Sequence, residues 1–361
     1  MDIESIESYL QPISEEAPCG RDLREDTSVE SIYYKLRDAR NSARKAERLA
    51  LADADEGAVT DENWYLLKDL SLQALQQETK DLEVAAWFIE AATRIDGIKG
   101  FIQGYQLASQ LIHNFWEQGI YPAIDEDGIE TRVSPLSGLN GFDGAGTLIT
   151  PIKSIAVTEN EEYLPICVWQ YEQAIQLERL DTEKKQNRID NGAIPLELIK
   201  KSVLLTAAEF YQELMSDLQV ALTTYEAFTD EFDRVCESLP QPTSNIRNAL
   251  KECIQAVEYL ARDKLAVTEE STTEEESEDD AKVSQPAVEG IQRREQAVNT
   301  LRQVADYFRR TEPHSPISYL LEQSIRWSDL SLPELLQQLI PEDGAREQYY
   351  KLTGIDAGSN Q

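Results

Sequence analysis

Two histidines, His113 and His314, and four cysteines, Cys19, Cys167, Cys236 and Cys253, are all that 361 residues offer for imidazole or thiol chemistry. A zinc site needs clustered Cys and His at short spacings, and a nucleophilic triad needs a base beside its nucleophile. The chain holds no CxxC pair, and His314 has no nucleophile or acid in motif spacing around it. Hydrogen bonding at a helix junction accounts for His314 better than general-base chemistry, and the cysteines read as free thiols in or near a core. Carboxylates are plentiful, but 67 of them make chance pairs unavoidable, so their number is no argument for a hydrolase.

The remaining chemical signatures also fail on spacing. Gly138, Gly141, Gly144 and Gly146 form a cluster, but no Lys-Ser or Lys-Thr directly follows and Asp143 would repel a phosphate, so this is not a P-loop. Asp125-Glu126-Asp127-Gly128 lacks the downstream ligands of a calcium-binding helix–loop–helix. Gly97, Gly100 and Gly104 stand three and four apart, which suits close helix contact. No cofactor, no metal and no enzymatic activity are expected.

Charge narrows the partners. The net charge of −33 argues against a general binder of nucleic acid or anionic membrane, since either surface would repel it. No stretch of about 18 apolar residues occurs, so direct membrane insertion is not expected. Met1-Asp2-Ile3-Glu4 is acidic and precedes no apolar run, so it does not read as a signal peptide. These features together predict a soluble, cytoplasmic chain. The acids concentrate at 269–285, where eight acidic residues face only Lys282. This run has no apolar period and reads as a solvated, self-repelling linker.

Hydrophobic spacing is helical nearly throughout, so the expected fold is all-α, with a small β-hairpin near 148–165. Val29, Ile32, Tyr33, Leu36, Ala39 and Ala43 mark a first amphipathic helix. Its other side carries Arg37, Arg40, Arg44 and Arg48, with Lys35 and Lys45 nearby, either paired internally or facing an acidic partner. Further helices fit 64–78, 82–95 and 101–119, the last ended by Tyr121-Pro122. From Ala207 through Tyr211, Leu214, Leu218, Ala221, Tyr225, Phe228, Phe232 and Val235 to Leu239, apolar steps of four and three form a heptad seam. Pro240-Gln241-Pro242 ends it, Thr243 or Ser244 can cap the next helix, and Ile246, Leu250, Cys253, Val257 and Leu260 continue the alternation. An antiparallel helical hairpin follows, its aromatic seam packing on a helix such as 166–177 or on another subunit. Near the C-terminus, Val298, Leu301, Val304, Ala305 and Phe308 line one helix, Pro316 opens another, and Leu332 to Ile340 supply a third.

Several ordered motifs resemble one family. Pro18-Cys19-Gly20-Arg21-Asp22-Leu23, followed by Asp26, is similar to the opening of the ImpA-related N-terminal domain of TssA proteins in bacterial type VI secretion systems. The resemblance continues through Trp64, Thr79-Lys80-Asp81-Leu82, Ala85-Ala86-Trp87, the Gly97/Gly100/Gly104 helix, Trp116, Pro122 and Arg132. Tyr307-Phe308-Arg309-Arg310-Thr311-Glu312-Pro313-His314-Ser315-Pro316, then Ser318-Tyr319-Leu320-Leu321 and Trp327, resembles the family's C-terminal motif. Glu83 departs from the family, which usually has arginine after the Lys-Asp-Leu step.

Four parts are expected: the resemblance implies an ImpA-related helical domain at 1–150 and a small helical oligomerisation domain at 287–361, while spacing and charge give a middle helical hairpin at 151–267 and an acidic linker at 268–286 between them. Cys19, Gly20, Asp22, Leu23, Trp64, Lys80, Asp81, Trp87, Trp116 and Arg132 become candidates for interaction or for structural support. Phe308, Glu312, Pro313, His314, Ser315, Pro316, Tyr319, Leu320 and Trp327 become candidates for oligomerisation. The implied partners are further copies of the chain in a ring, together with baseplate, inner tube and sheath proteins. The implied role is assembly of the secretion tail in the bacterial cytoplasm. A helical adaptor or effector chaperone in the same machine is the alternative.

Overall fold

The computed structural model describes residues 6–52, 61–126, 128–142, 144–236, 239–265 and 316–328, with the single residues 302, 305 and 309. Packing divides the chain into two units, Met1–Ser277 and Glu278–Gln361, and the boundary falls within 268–286. The fold is all-α, with no sheet among the described residues.

In the first unit, α1 (Ile32–Ala52) buries Leu36, Ala39 and Ala43. Val29, expected on that stripe, precedes the helix and is 90% exposed. α2 (Glu62–Gln77) starts where the Asp61 carboxylate accepts the Asn63 amide. α3 (Leu82–Phe115) is two arms, because Gly97 at φ 60°, ψ −135° turns the chain back on itself. A Cβ on Gly100 would stand 2.0 Å from the Ala92 carbonyl oxygen, and one on Gly104 would stand 2.7 Å from Ile89 Cγ1. Gly97 thus makes the turn, Gly100 and Gly104 let the second arm close against Ala92 and Ile89 of the first, and the helix expected at 101–119 instead follows Gly97 and ends at Phe115.

Ion pairs and rings give the helix directions. α1 runs parallel to the first arm of α3, with Tyr33 beside Trp87, Arg40 on Glu90 and Glu47 on Arg94. α2 runs antiparallel to that arm, with Trp64 beneath Arg94 and the Leu75 carbonyl at Lys80. After α4 (Ile129–Asn140), α5 (Ile149–Lys153), α6 (Val168–Glu178), α7 (Thr182–Asp190) and α8 (Leu196–Leu205), the long α9 (Ala208–Val235) lies parallel to the second arm. Lys99 reaches Asp217 at 3.6 Å, and His113 Nδ1 lies 3.2 Å from Glu231.

The centre of the expected seam is buried, from Tyr211 through Leu214, Leu218, Ala221, Tyr225 and Phe228 to Phe232, whereas Ala207 is exposed and Val235 and Leu239 are half-buried at its ends. Its partner is the second arm of α3 rather than 166–177: the Tyr105 ring centroid is 5.0 Å from Tyr225 and 4.9 Å from Phe228. α10 (Ser244–Leu260) returns beside α9 and buries Ile246, Leu250, Cys253 and Val257. Thr243 makes no side-chain cap. Asn140, at the end of α4, accepts the Ile246 amide at 2.9 Å in its place.

The hairpin expected near 148–165 does not form. Leu148 and Ile152 are buried against the core on the helical turn α5, so the β-branched residues around them are used in a helix. What remains is one antiparallel bridge, Ala156 to Cys167, with Val157 donating to the Ile166 carbonyl at 2.7 Å. One continuous hydrophobic core runs from Ile6 to Ala261, across the boundary expected at 150.

The second unit contributes α11 (Pro316–Ser328). Glu322 on this helix pairs with Arg309 at 2.9 Å, and Ile325 is buried.

Candidate functional site

The N-terminal motif residues converge on a backbone junction. Arg21 N–H donates to the Glu78 carbonyl at 3.1 Å and Lys80 N–H to the Cys19 carbonyl at 2.8 Å. Tyr121 N–H donates to Lys80 at 2.9 Å, and Leu82 N–H donates back to Tyr121 at 2.8 Å. Three segments distant in sequence, 19–21, 78–82 and 121, are thus laced together at the start of α3. Gly20 makes the first crossing possible: its φ is +73°, and a Cβ there would lie 2.1 Å from the Glu78 oxygen.

Asp81 is fully buried and serves two purposes. Its Oδ1 accepts the Glu83 amide at 2.8 Å and caps α3. The same carboxylate receives the Arg24 guanidinium in a fork, at 2.7 and 3.2 Å. Arg24 also reaches Asp22 at 2.8 Å and Glu83 at 2.7 Å, and Tyr33 donates its hydroxyl to Glu83 at 3.2 Å. Burial opposes the charge of Arg24, but Asp81, then Asp22 and Glu83, outweigh it and raise its pKa. Burial, with Glu83 beside it, pushes the Tyr33 phenol up to about 12. Glu83, the departure from the family pattern, therefore completes the coordination of one arginine.

Lys80 has no exposure at all. Its ammonium donates to the carbonyls of Tyr9 and Leu75, both at 2.7 Å, and lies 5.5 Å from the Phe115 ring centre. Burial lowers its pKa to about 8. Cys19 sits beside it with its thiol directed at the Gln118 carbonyl, 3.5 Å away, and burial raises its pKa, so the thiol stays protonated at neutral pH. Leu23 is buried alongside. Arg132 lies over the Trp116 ring at 5.1 Å and donates to the Pro122 carbonyl at 2.9 Å, tying the loop after α3 to α4.

Trp64 and Trp87 belong to a neighbouring cluster. Arg94 lies 4.2 Å over Trp64, and Arg40 is 5.9 Å from Trp87. Both arginines, with Arg44, surround the fully buried Glu90, at 2.7 Å from Arg40, 3.5 Å from Arg44 and 3.7 Å from Arg94. Sequence reasoning missed Arg24, Glu90 and Arg94. The available signal was a lone Glu-x-x-x-Arg pair inside the apolar run of α3.

In the second unit, Tyr319 and Leu320 are exposed and Trp327 is half-buried on α11, which Pro316 begins. Phe308, Glu312, Pro313, His314 and Ser315 lie outside the described residues, as do the acidic run at 268–286 and the helix expected at 332–340. An open groove of about 490 Å³ lies between α6, α8 and α10, lined by Tyr171, Ile175, Leu196, Ala256 and Tyr259, and takes in none of the residues singled out from the sequence. Among the described residues no group of three His, Cys, Asp or Glu side chains is placed to hold a metal ion. Among the described residues the N-terminal motif positions form a helix junction braced by buried charge.

Residues 10–141 match the family described as "ImpA, N-terminal, type VI secretion system". Over 342 residues the chain is 23% identical to the type VI secretion system component TssA1 of Pseudomonas aeruginosa PAO1, covering 92% of this chain and 94% of that protein. A solved structure of the N-terminal domain of the TssA component from Burkholderia cenocepacia, including its conserved ImpA_N region, superposes with a TM-score of 0.60 at 23% identity. The match covers 72% of this chain and 94% of that one, and it shows a shared fold. The matched motif segment is the one that builds the Arg24–Asp81 junction, and the likeness to TssA1 runs on through both units, so the chain carries an ImpA-type N-terminal region and is similar along its length to a type VI secretion component.

Proposed function

We propose that the chain is a cytoplasmic assembly factor of the type VI secretion tail, acting by binding rather than by catalysis. In this reading residues 287–361 form a ring of identical copies, and the N-terminal parts contact baseplate, inner tube or sheath subunits. The observation that carries it is the extent of the likeness to TssA1, 92% of this chain, which leaves both units with a counterpart in a secretion component. Multivalent display supplies the mechanism. Linked copies facing a symmetric partner gain about 10²–10⁴ in avidity without any new contact. The acidic run at 268–286 suits this, since a self-repelling segment spaces modules from a common ring.

Deleting residues 287–361 tests the reading. Light scattering is expected to show collapse of the oligomer, with helical circular dichroism retained. An unchanged mass after the deletion overturns it. Co-purification with separately produced baseplate, tube and sheath subunits reads the partner. Recovery of toxin cargo in place of those subunits favours the adaptor or chaperone reading.

A further inference from the structure

The arginines and lysines of α1 fall into two groups. Arg40 and Arg44 turn inward onto Glu90, where three cations share one buried carboxylate. Arg37, Asn41, Lys45 and Arg48 recur at steps of four, four and three and are all exposed, so they form one outward row. Eleven residues of helix separate its ends, about 16 Å at the α-helical rise. Arg37 lies 4.7 Å over the Tyr34 ring, and among the described residues no carboxylate pairs with Arg37, Lys45 or Arg48. This happens in a chain with 67 acidic and 34 basic residues, where a cation has about two carboxylates to choose from. Asp38 is exposed beside the row, and Lys35, off its line, is held by Glu30 at 2.9 Å.

Apolar groups stand at one end of the row. Glu47 of α1 and Trp64 of α2 both contact Arg94, so the last turns of α1 lie beside the first turn of α2. Leu49 on the last turns of α1, and Tyr65 and Leu66 on the first turn of α2, are each about half exposed. A cationic stripe with an adjoining apolar end is the complement of an amphipathic segment carrying carboxylates and one apolar anchor.

We propose that the outer face of α1 is a docking surface for an acidic helical segment of a protein partner, held by Arg37, Lys45 and Arg48 and anchored at Leu49, Tyr65 and Leu66. A compact acidic helix fits the charge balance better than a membrane or a nucleic acid. A row of three cations attracts a few carboxylates at short range, whereas an extended polyanion meets the net −33 of the whole chain. The proposal rests on the reading of the chain as a binding component, but its test does not depend on ring formation.

The probe is a labelled synthetic helical peptide with glutamates at the row's three- and four-residue spacing and one terminal leucine, compared with its glutamine counterpart. With the full chain, fluorescence anisotropy is expected to show binding of the glutamate peptide that weakens as salt rises from about 50 to about 300 mM. The R37E/K45E/R48E variant is expected to weaken it about tenfold or more, while a K184E/K200E control, reversing exposed cations elsewhere, leaves it unchanged. Equal binding of the glutamine peptide, or unchanged binding by the triple variant, overturns the proposal. So does co-sedimentation with phosphatidylserine vesicles when the peptide fails to bind. Circular dichroism of the variant checks that it folds. Light scattering on the same variant is expected to give the wild-type mass, so failure of the ring and failure of this surface are read separately.

Discussion

The guanidinium of Arg24 forks onto the carboxylate of Asp81, 57 positions further along the chain, while that same carboxylate caps the first turn of α3. One buried acid thus fixes both where the long helical hairpin starts and where the opening motif lies against it. This explains how a proline-glycine turn without regular structure is held at a helix junction.

Replacing Asp81 should therefore cost more than the loss of a cap. Asp81→Ala removes a cap worth about 1 kcal/mol and also the fork on Arg24, which keeps only Asp22 and Glu83, so a loss above about 1 kcal/mol is expected. Asp81→Asn keeps the cap acceptor but not the charge, and is expected to fall between Asp81→Ala and wild type. Urea unfolding of the full chain, followed by tryptophan fluorescence, reads the order. Equal stability of all three proteins would remove the junction from the account of the fold.

Lys80 makes stability depend on pH in a defined direction. Its folded pKa is about 8, below the ordinary lysine value of 10.5, so between those values the unfolded chain binds more protons. The lysine contribution to stability therefore rises with pH across that window, because the cost of burying the ammonium disappears as it deprotonates. The phenols of Tyr33, Tyr171 and Tyr211, raised to about 12, act in the opposite sense above about pH 10. Comparing wild type with Lys80→Met between about pH 7.5 and 9.5 isolates the lysine. The wild-type protein is expected to gain on the variant as pH rises, and a flat difference contradicts the burial of a titrating lysine.

Glu90 holds three arginines together from inside the α1–α3 interface. Glu90→Gln leaves Arg40, Arg44 and Arg94 close together with no buried counter-charge, and about 3–5 kcal/mol of destabilisation is expected. Glu47→Gln, at the partly exposed end of the same network, is expected to cost under about 1 kcal/mol. Thermal unfolding of the two variants checks the contrast.

The helices were readable wherever one face had to be buried. The seam of α9 gave its own core list because steps of four and three leave a single apolar stripe, and Tyr211 to Phe232 are buried as that spacing requires. What covered the stripe was not readable, because a heptad describes one surface and is silent on which helix meets it. Gly100 and Gly104 held the answer only once Gly97 had folded their arm back on the first. The ion-pair hubs were hidden for a related reason. Asp81 and Glu90 are acids among many, and only three-dimensional proximity separates them from the solvated ones. Around 148–165 the β-branched composition pointed the wrong way, because burial of Leu148 and Ile152 on one short turn outweighed local propensity.

Gly20 offers the sharpest test of the junction, since its side chain is a single hydrogen and its role is steric. Its φ of +73° disfavours any L side chain, and the Glu78 backbone oxygen would lie 2.1 Å from a new Cβ. Backbone cannot rotate away as a flexible side chain would, so the 19–21 segment must separate from 78–80. That separation breaks the Arg21–Glu78 and Lys80–Cys19 backbone bonds and draws Arg24 off Asp81. Gly20→Ala is expected to destabilise the full chain by more than about 2 kcal/mol, well beyond the ordinary effect of a surface alanine. Hydrogen exchange should localise the damage, with the amides of Lys80, Leu82 and Tyr121 losing protection while the seam of α9 keeps it. Uniform loss along both helices would mean that the junction has no local unfolding unit of its own. Unchanged exchange at Lys80 would mean that the crossing at Gly20 does not hold the motif in place.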